Sequence, residues 1–556
     1  MENYDECFDK VGRWGSYQLK ISIIIIITSM FGPILLLTIP INQMIPEFSI
    51  RVNGVNGTES IHITDKEEFC KTTYYDQDFK TLSKDIEISS ITQTWSTELK
   101  FVCNTKKIFS LIGTVFFLGN IASNIAFNKF PDRYGRKRIF LIFNIISFVV
   151  LFQIVFLKSY VQILICAFIM GITSLNLSTG AVLINETINK SYSGTIMGIT
   201  NAMFPFVGLL NLLLMGIFQN WRVVYYFIIV INLTANVLGM MYLRESPEWL
   251  NANKKYIELL DVFNYIAECN GTKHEFVLFL TNPDNTKVTI ESDFEATNEL
   301  NNLNKLPISH KNDDNDVKVK RKHHVYSVSD LFLLPSLRWL SINSVILWII
   351  SGFSFFGILL NLEGLTGSIV IDSLVTYIAE FIAEILSGYL AYVYGSKKVL
   401  FFSFVFSTVG TFSFLLITPF SKIIGIIFLF IASLGIASAF NIMYIYSPQI
   451  FPTNIKTLAV NTFSLMNRIA AGLVPTFLAF FPFITFVIGL LCALGSFITL
   501  QVPDSTNYKP GDEVEEINDN VGEFIDSNLS EHSGTKSKAS RASFYLEDMM
   551  KLLKSP

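Results

Sequence analysis

The residues of this chain best able to do chemistry are two carboxylates and one guanidinium in apolar surroundings. Glu380 and Glu384 lie in the run "DSLVTYIAEFIAEILSGYLAYVY" (372–394), and Arg468 lies in "SLMNRIAAGLVPTF". A spacing of four puts both glutamates on one face of an α-helix, one turn apart. A charge at bilayer depth costs at least about 2.5–3.5 kcal/mol, so such residues face protein or a watery cavity. The chemistry on offer is binding. A desolvated guanidinium opposite one carboxylate forms a charge-assisted pair and leaves the second carboxylate to a ligand, a local sum of one negative charge. That sum favours a cation or a zwitterion over a simple anion. Two alternatives stay open: Glu384 and Arg468 merely neutralise each other between helices, or one Glu serves as a proton relay.

Aromatic residues that can cage a quaternary ammonium are Trp348, Phe355, Phe356, Tyr377, Tyr444 and Tyr446. Packing is the competing reading in a chain with 14% aromatics. Asn201, Asn343 and Asn441 are candidate polar liners or helix bridges. The six Cys show no metal-ligand spacing, and with six His, three of them (310, 323, 324) in one polar stretch, no nucleophile and base pairing emerges. Neither a metal, a cofactor nor an enzyme activity is expected, and no basic footprint points to nucleic acid.

These residues need a membrane to hold them. The chain of 556 residues is 51% hydrophobic and 16% charged, with 50 Phe, too apolar for soluble domains. Windows of about 20 apolar residues fall near 21–42, 108–129, 138–157, 161–184, 195–217, 222–243, 339–361, 369–393, 398–418, 422–446, 457–480 and 482–502. The expectation is an all-α integral membrane protein of twelve spans in two six-helix halves (21–243 and 339–502), joined by a polar segment 244–338 and followed by a polar tail 503–556. The polar N-terminus 1–20 precedes an apolar run too long for a signal peptide.

Lys10, Arg13 and Lys20, with Arg133, Arg136, Lys137 and Arg138, place both termini and the central segment in the cytoplasm of a multi-pass cell-membrane protein. The loop 43–107 is then outside. There Asn56-Gly57-Thr58 is a glycosylation acceptor, and Cys70 and Cys103 share an oxidising compartment where they can pair. The sequons at Asn176, Asn189, Asn232 and Asn270 fall in spans or on the inner side, as chance matches do. In the central segment, Trp249, Ile257, Leu260, Phe263 and Ile266 recur at helical spacing, as in a helix lying on the inner membrane surface. Thr281 to Asp316 reads as disordered, and Lys318 to His324 is a basic run suited to anionic lipid or to stop-transfer. The tail also reads as disordered.

"NKFPDRYGRKRIF" (128–140) and "GYLAYVYGSKKVLF" (388–401) each follow the second span of a half and carry Gly before basic residues. Two such halves around a midplane cavity are the signature of alternating access. Asp132-Arg133-Tyr134-Gly135-Arg136-Lys137 resembles the loop 2–3 motif of the major facilitator superfamily. The resemblance implies that Asp132 pairs across the interface between halves. It assigns gating to Asp132, Arg133, Gly135, Arg136, Lys137, Glu186, Arg244, Glu245 and Gly395.

Further segments in family order, "VGRWGSYQ" (11–18), "WSTELKFVC" (95–103), "RESPEWL" (244–250), "YSPQIFPTNIK" (446–456) and "VPDS" (502–505), are similar to solute carrier family 22. That resemblance implies a transporter of small organic ions working by alternating access, with proton or sodium as candidate coupling ions and membrane lipid around it. Glu380 falls where its cation-handling members carry an acid, and Arg468 where anion- and zwitterion-handling members carry Arg. The chain departs from the pattern at Asn128, Ser193, Glu248, Tyr392, Gln449 and Lys456, so several charge pairs of the basic side are weakened here. The alternatives are a facilitator-fold sugar porter and a non-transporting receptor or scaffold.

Overall fold

In hydrocarbon every backbone N–H and C=O must be satisfied within the protein, and a long apolar run meets that demand as a helix. Ten helices are long and apolar enough to cross a membrane among the described residues. The computed structural model describes residues 11, 14–29, 31–32, 34–44, 48–54, 57–63, 75–76, 81–82, 86–90, 92–99, 101, 105–188, 190–272, 278–281, 287–290, 328–362, 365–366, 368–452, 455–481 and 483–504.

The first expected span is two helices, α1 (Ser16–Ser29) and α2 (Ile34–Asn42), with a turn at Phe31-Gly32 between them; the next residue in the sequence, Pro33, has no N–H to donate to a continuous helix. The loop that follows holds an antiparallel sheet of β1 (Phe48–Gly54), β2 (Gly57–Ile63) and β3 (Ile86–Ser90) in the order β2-β1-β3, then α3 (Trp95–Glu98). The all-helical expectation thus holds for the spans and not for this loop. Asn56, Cys70 and Cys103 lie outside the described residues.

Next come α4 (Thr105–Phe127), α5 (Phe130–Tyr134), α6 (Arg136–Val155), α7 (Tyr160–Thr173), α8 (Leu175–Asn185), α9 (Lys190–Phe218) and α10 (Trp221–Tyr242). α7 and α8 share the expected fourth span. They meet at Ser174, whose hydroxyl donates to the Gly171 carbonyl at 2.6 Å and competes with the helical ladder. The end of the loop is stitched to α10: Glu98 takes a bidentate pair from Arg222 and a 2.9 Å hydrogen bond from the Trp221 indole.

After α10, α11 (Pro247–Ala252) and α12 (Tyr256–Asn270) lead to a hairpin of β4 (Leu278–Thr281) and β5 (Lys287–Ile290). α12 is not a membrane-surface helix. Leu260, Phe263 and Ile266 are buried with Val11, Tyr17 and Ile21 of the N-terminal stretch, while Ile257 points away. Asn270 fixes the dock, accepting from the Tyr17 N–H at 3.0 Å and donating to the Val11 carbonyl at 3.1 Å. The stretch read as disordered contains β5 at 287–290; its remainder, the basic run and the tail beyond 504 lie outside the described residues.

The second group comprises α13 (Asp330–Leu333), α14 (Pro335–Leu360), α15 (Ile369–Tyr394), α16 (Ser396–Ile417), α17 (Lys422–Ile450), α18 (Lys456–Phe480) and α19 (Ile484–Gln501). α15, which carries the glutamates, is 26 residues long and is not among the ten strongly apolar helices. With it and the α1–α2 pair, the arrangement is consistent with twelve spans. The internal repeat is visible in the backbone: Gly135 (φ +103°, ψ 145°) opens α6 and Gly395 (φ +90°, ψ 141°) opens α16. That region is essentially closed to residues with a Cβ, which explains the glycine in both copies.

Candidate functional site

Two ends of the molecule can be told apart by composition: a basic face bearing Arg136 and Lys137, and a loop face bearing the sheet. On the basic face Arg136 bridges Glu186 and Asp132, each at 3.0 Å. Glu245 accepts from the backbone N–H groups of Lys137 at 2.9 Å and Ser246 at 3.1 Å, which caps α6 with a carboxylate at its positive end. Trp249 donates to the Asp132 carbonyl at 2.7 Å, Arg244 lies over the Tyr265 ring at 4.2 Å, and Arg133 lies over Tyr134 at 5.4 Å.

The residues to which the resemblance assigns gating in the first repeat are therefore together, within one helix group. Asp132 does not reach across the interface: its carboxylate, 73% exposed, pairs with Arg136 one turn along its own chain. Burial pushes the Glu186 carboxyl above the ordinary range, against the Ser246 hydroxyl and the Arg136 charge. In the second repeat the residue after the glycine, Ser396, donates to Gln449 at 2.9 Å. This is a neutral counterpart of the Arg136–Glu186 pair, and it is where the sequence loses its charges.

A cavity of about 570 Å³ opens beside this network, lined among others by Lys137, Arg138, Arg244, Asp261 and Glu268. Its mixed charge selects no ligand class.

The glutamates are elsewhere, at mid-depth. α15 buries Asp372, Glu380 and Glu384, and only the first is satisfied. Asp372 is satisfied by the Thr366 N–H at 2.8 Å and its hydroxyl at 2.5 Å, so it caps the turn leading into α15. Glu380 and Glu384 each keep Oε2 buried with no hydrogen-bond partner, and Arg468 keeps Nη1 in the same condition. Among the described residues no ion pair joins Arg468 to either glutamate, so the mutual neutralisation entertained above is not made. Three ionisable groups, each with a buried atom left unpartnered in one region, call for an explanation, since each buried unpaired group costs about 1–3 kcal/mol or more.

Aromatic rings close the region. Tyr444 is within electrostatic reach of both Arg468 and Glu384. It packs edge-on to Trp348 at 4.6 Å, while Phe440 stacks on Phe355 at 4.7 Å and lies edge-on to Phe356 at 6.1 Å. Phe117 of α4 meets Phe356 at 4.9 Å, and Phe204 of α9 meets Phe355 at 6.2 Å, so the cluster touches both groups. Phe440, missed in the sequence, sits one helical turn before Tyr444, and that spacing was the signal for it. Two expected ring residues stand apart. Tyr446 is buried with its hydroxyl on the Pro503 carbonyl at 2.6 Å, and Tyr377 donates to the Leu37 carbonyl of α2 at 3.1 Å. Asn343 donates to the Trp339 carbonyl of its own helix at 3.0 Å.

The two groups meet along α4 with α18 and α9 with α15. Thr114 and Thr476 lie 3.4 Å apart toward the loop face, and a Cβ on Gly208 would press on the Tyr377 ring. Toward the basic face the contacts are sparser: a Cβ on Gly388 would meet nothing within 4 Å, and Tyr392 is 90% exposed.

Comparison with known proteins agrees with this architecture. The chain is 23% identical over 445 residues to solute carrier family 22 member 21 of Mus musculus, covering 78% of this chain and 72% of the relative. It is 21% identical to the organic cation/carnitine transporter 2 of Homo sapiens, over 78% and 73% of the two chains. It is also 21% identical to a solute carrier family 22 member 15-like protein of Xenopus tropicalis, over 92% and 96%. Among solved structures, the inward-open conformation of the xylose transporter XylE from E. coli superposes with a TM-score of 0.57 at 14% identity, covering 90% of this chain and 99% of that one. The family model of the Major Facilitator Superfamily matches residues 21–475, and with the helical fold and the paired glycine turns in place, the chain belongs to that superfamily.

Proposed function

We propose that this transporter carries a small organic cation or zwitterion, bound between Glu384, Arg468 and the rings of Tyr444 and Trp348. The observation that carries the reading is the trio of unpartnered atoms, Glu380 Oε2, Glu384 Oε2 and Arg468 Nη1, beside an aromatic wall. A carboxylate and an aromatic face attract a quaternary ammonium, and the guanidinium takes a carboxylate at the other end of the ligand. Curated relatives bearing the name organic cation/carnitine transporter favour the same class. The basic face is assigned to the cytoplasm by its Arg and Lys content, with both termini on that side. The sparser contact between α9 and α15 toward the basic face favours the inward-facing arrangement of an alternating-access cycle.

Uptake of a labelled panel into cells expressing the chain tests this reading: a quaternary ammonium, a carnitine-like zwitterion, a dicarboxylate and a hexose. The expected result is uptake of the first two above mock-transfected cells. Uptake of hexose alone, or of no panel member with surface expression confirmed, contradicts it.

A further inference from the structure

A polar bridge between side-chain amides crosses between the helix groups beside Glu384. Asn201 of α9 donates from Nδ2 to Asn441 Oδ1 of α17 at 3.0 Å, and Asn441 Nδ2 donates to the Glu384 carbonyl and to Ser387 Oγ, both at 3.0 Å. The amide has only this orientation available, because the opposite one would set its carbonyl against the Glu384 carbonyl. Asn441 therefore holds the turn of α15 that bears Glu384 with one end and the opposite helix group with the other.

The place of the bridge along the seam gives it a second role. On its loop-face side the groups stay in contact, through Phe206 with Phe381 and Gly208 with Tyr377. On its basic-face side the contact is lighter: a Cβ on Gly198 would touch only the Glu384 carbonyl, at 3.8 Å, and one on Gly388 would reach nothing. The amide pair stands between the tight contacts and the lighter ones.

We propose that Asn441 is a positioning residue that fixes the Glu384 turn of α15 and, through Asn201, ties that turn to the other helix group where the contacts between the groups thin toward the basic face. Occupancy of the site and the angle between the groups then share one hydrogen-bonded joint. The inference rests on the reading of Glu384 as a ligand group only for its effect on binding; the effect on opening is independent of it.

The test uses the full chain in membrane vesicles, with Gly388→Cys as reporter and a membrane-impermeant maleimide applied from the basic-face side, each rate corrected for the chain without the reporter. Interhelical hydrogen bonds in membranes average about 0.6 kcal/mol, so Asn201→Ala is expected to change the labelling rate about threefold. Asn441→Ala is expected to change it as much and, in uptake assays, also to raise the KM for a quaternary ammonium about threefold above that of Asn201→Ala. The double variant should label like Asn441→Ala alone, because both substitutions remove the same Asn201–Asn441 bond. Unchanged labelling in both single variants, or additive effects in the double, overturns the proposal. If Asn441→Ala fails to reach the membrane, half-buried Asn201 alone decides the labelling question. A Glu384→Gln chain with unaltered KM would remove the site reading and leave the labelling result standing.

Discussion

Glu384→Gln is expected to raise the KM for a quaternary ammonium by about tenfold to hundredfold, because a contact to a charged partner is worth about 1.5–3 kcal/mol. The substitution keeps volume and removes the charge, so surface expression should match the parent chain. Glu384 is favoured over Glu380 as the ligand group because it shares Tyr444 and the Arg468 neighbourhood, whereas Glu380 neighbours Tyr377 at the interface between helix groups. Glu380→Gln should accordingly lower the maximal rate more than it alters KM. Saturation curves for both variants measure this directly. An unchanged KM in Glu384→Gln would take that residue out of the site.

Arg468→Ala should separate the two substrate classes. A carnitine-like zwitterion loses the partner of its carboxylate, and its KM is expected to rise about tenfold or more. A quaternary ammonium without a carboxylate should be transported as well or better, since a repelling charge has gone. The ratio of the two KM values is the readout, and Arg468→Lys should recover only part of it because an ammonium cannot form the planar fork. A parallel loss for both substrates would make Arg468 a structural residue.

Much of this was legible in the sequence, for physical reasons that differ by element. Spans are read from apolar length because the bilayer permits no other structure, and Gly135 and Gly395 are read because only glycine adopts their backbone. Depth and helical face likewise place Glu380, Glu384 and Arg468 from spacing alone. Partnership is another matter. The sequence offers Asp132 more than one basic partner, and among the described residues it pairs with Arg136 of its own helix group. Nor does the periodicity of α12 say what covers its apolar face; lipid and the Val11–Ile21 stretch are equally apolar, and Asn270 decides between them. Tyr446 has the same composition signal as Tyr444, yet two residues along a helix turn it to the far side, onto Pro503. The joint of Asn201 and Asn441 joins residues 240 apart, beyond any local pattern.

The central claim is that this chain alone moves an organic cation or zwitterion through the Glu384–Arg468 site. Counterflow in proteoliposomes of the purified chain, preloaded with unlabelled carnitine-like zwitterion and given a trace of labelled zwitterion outside, tests it without assuming any coupling ion. The account predicts transient accumulation of label in vesicles with the parent chain and its loss with Glu384→Gln. Accumulation that is equal in both, or that occurs only when a hexose replaces the zwitterion, would contradict it.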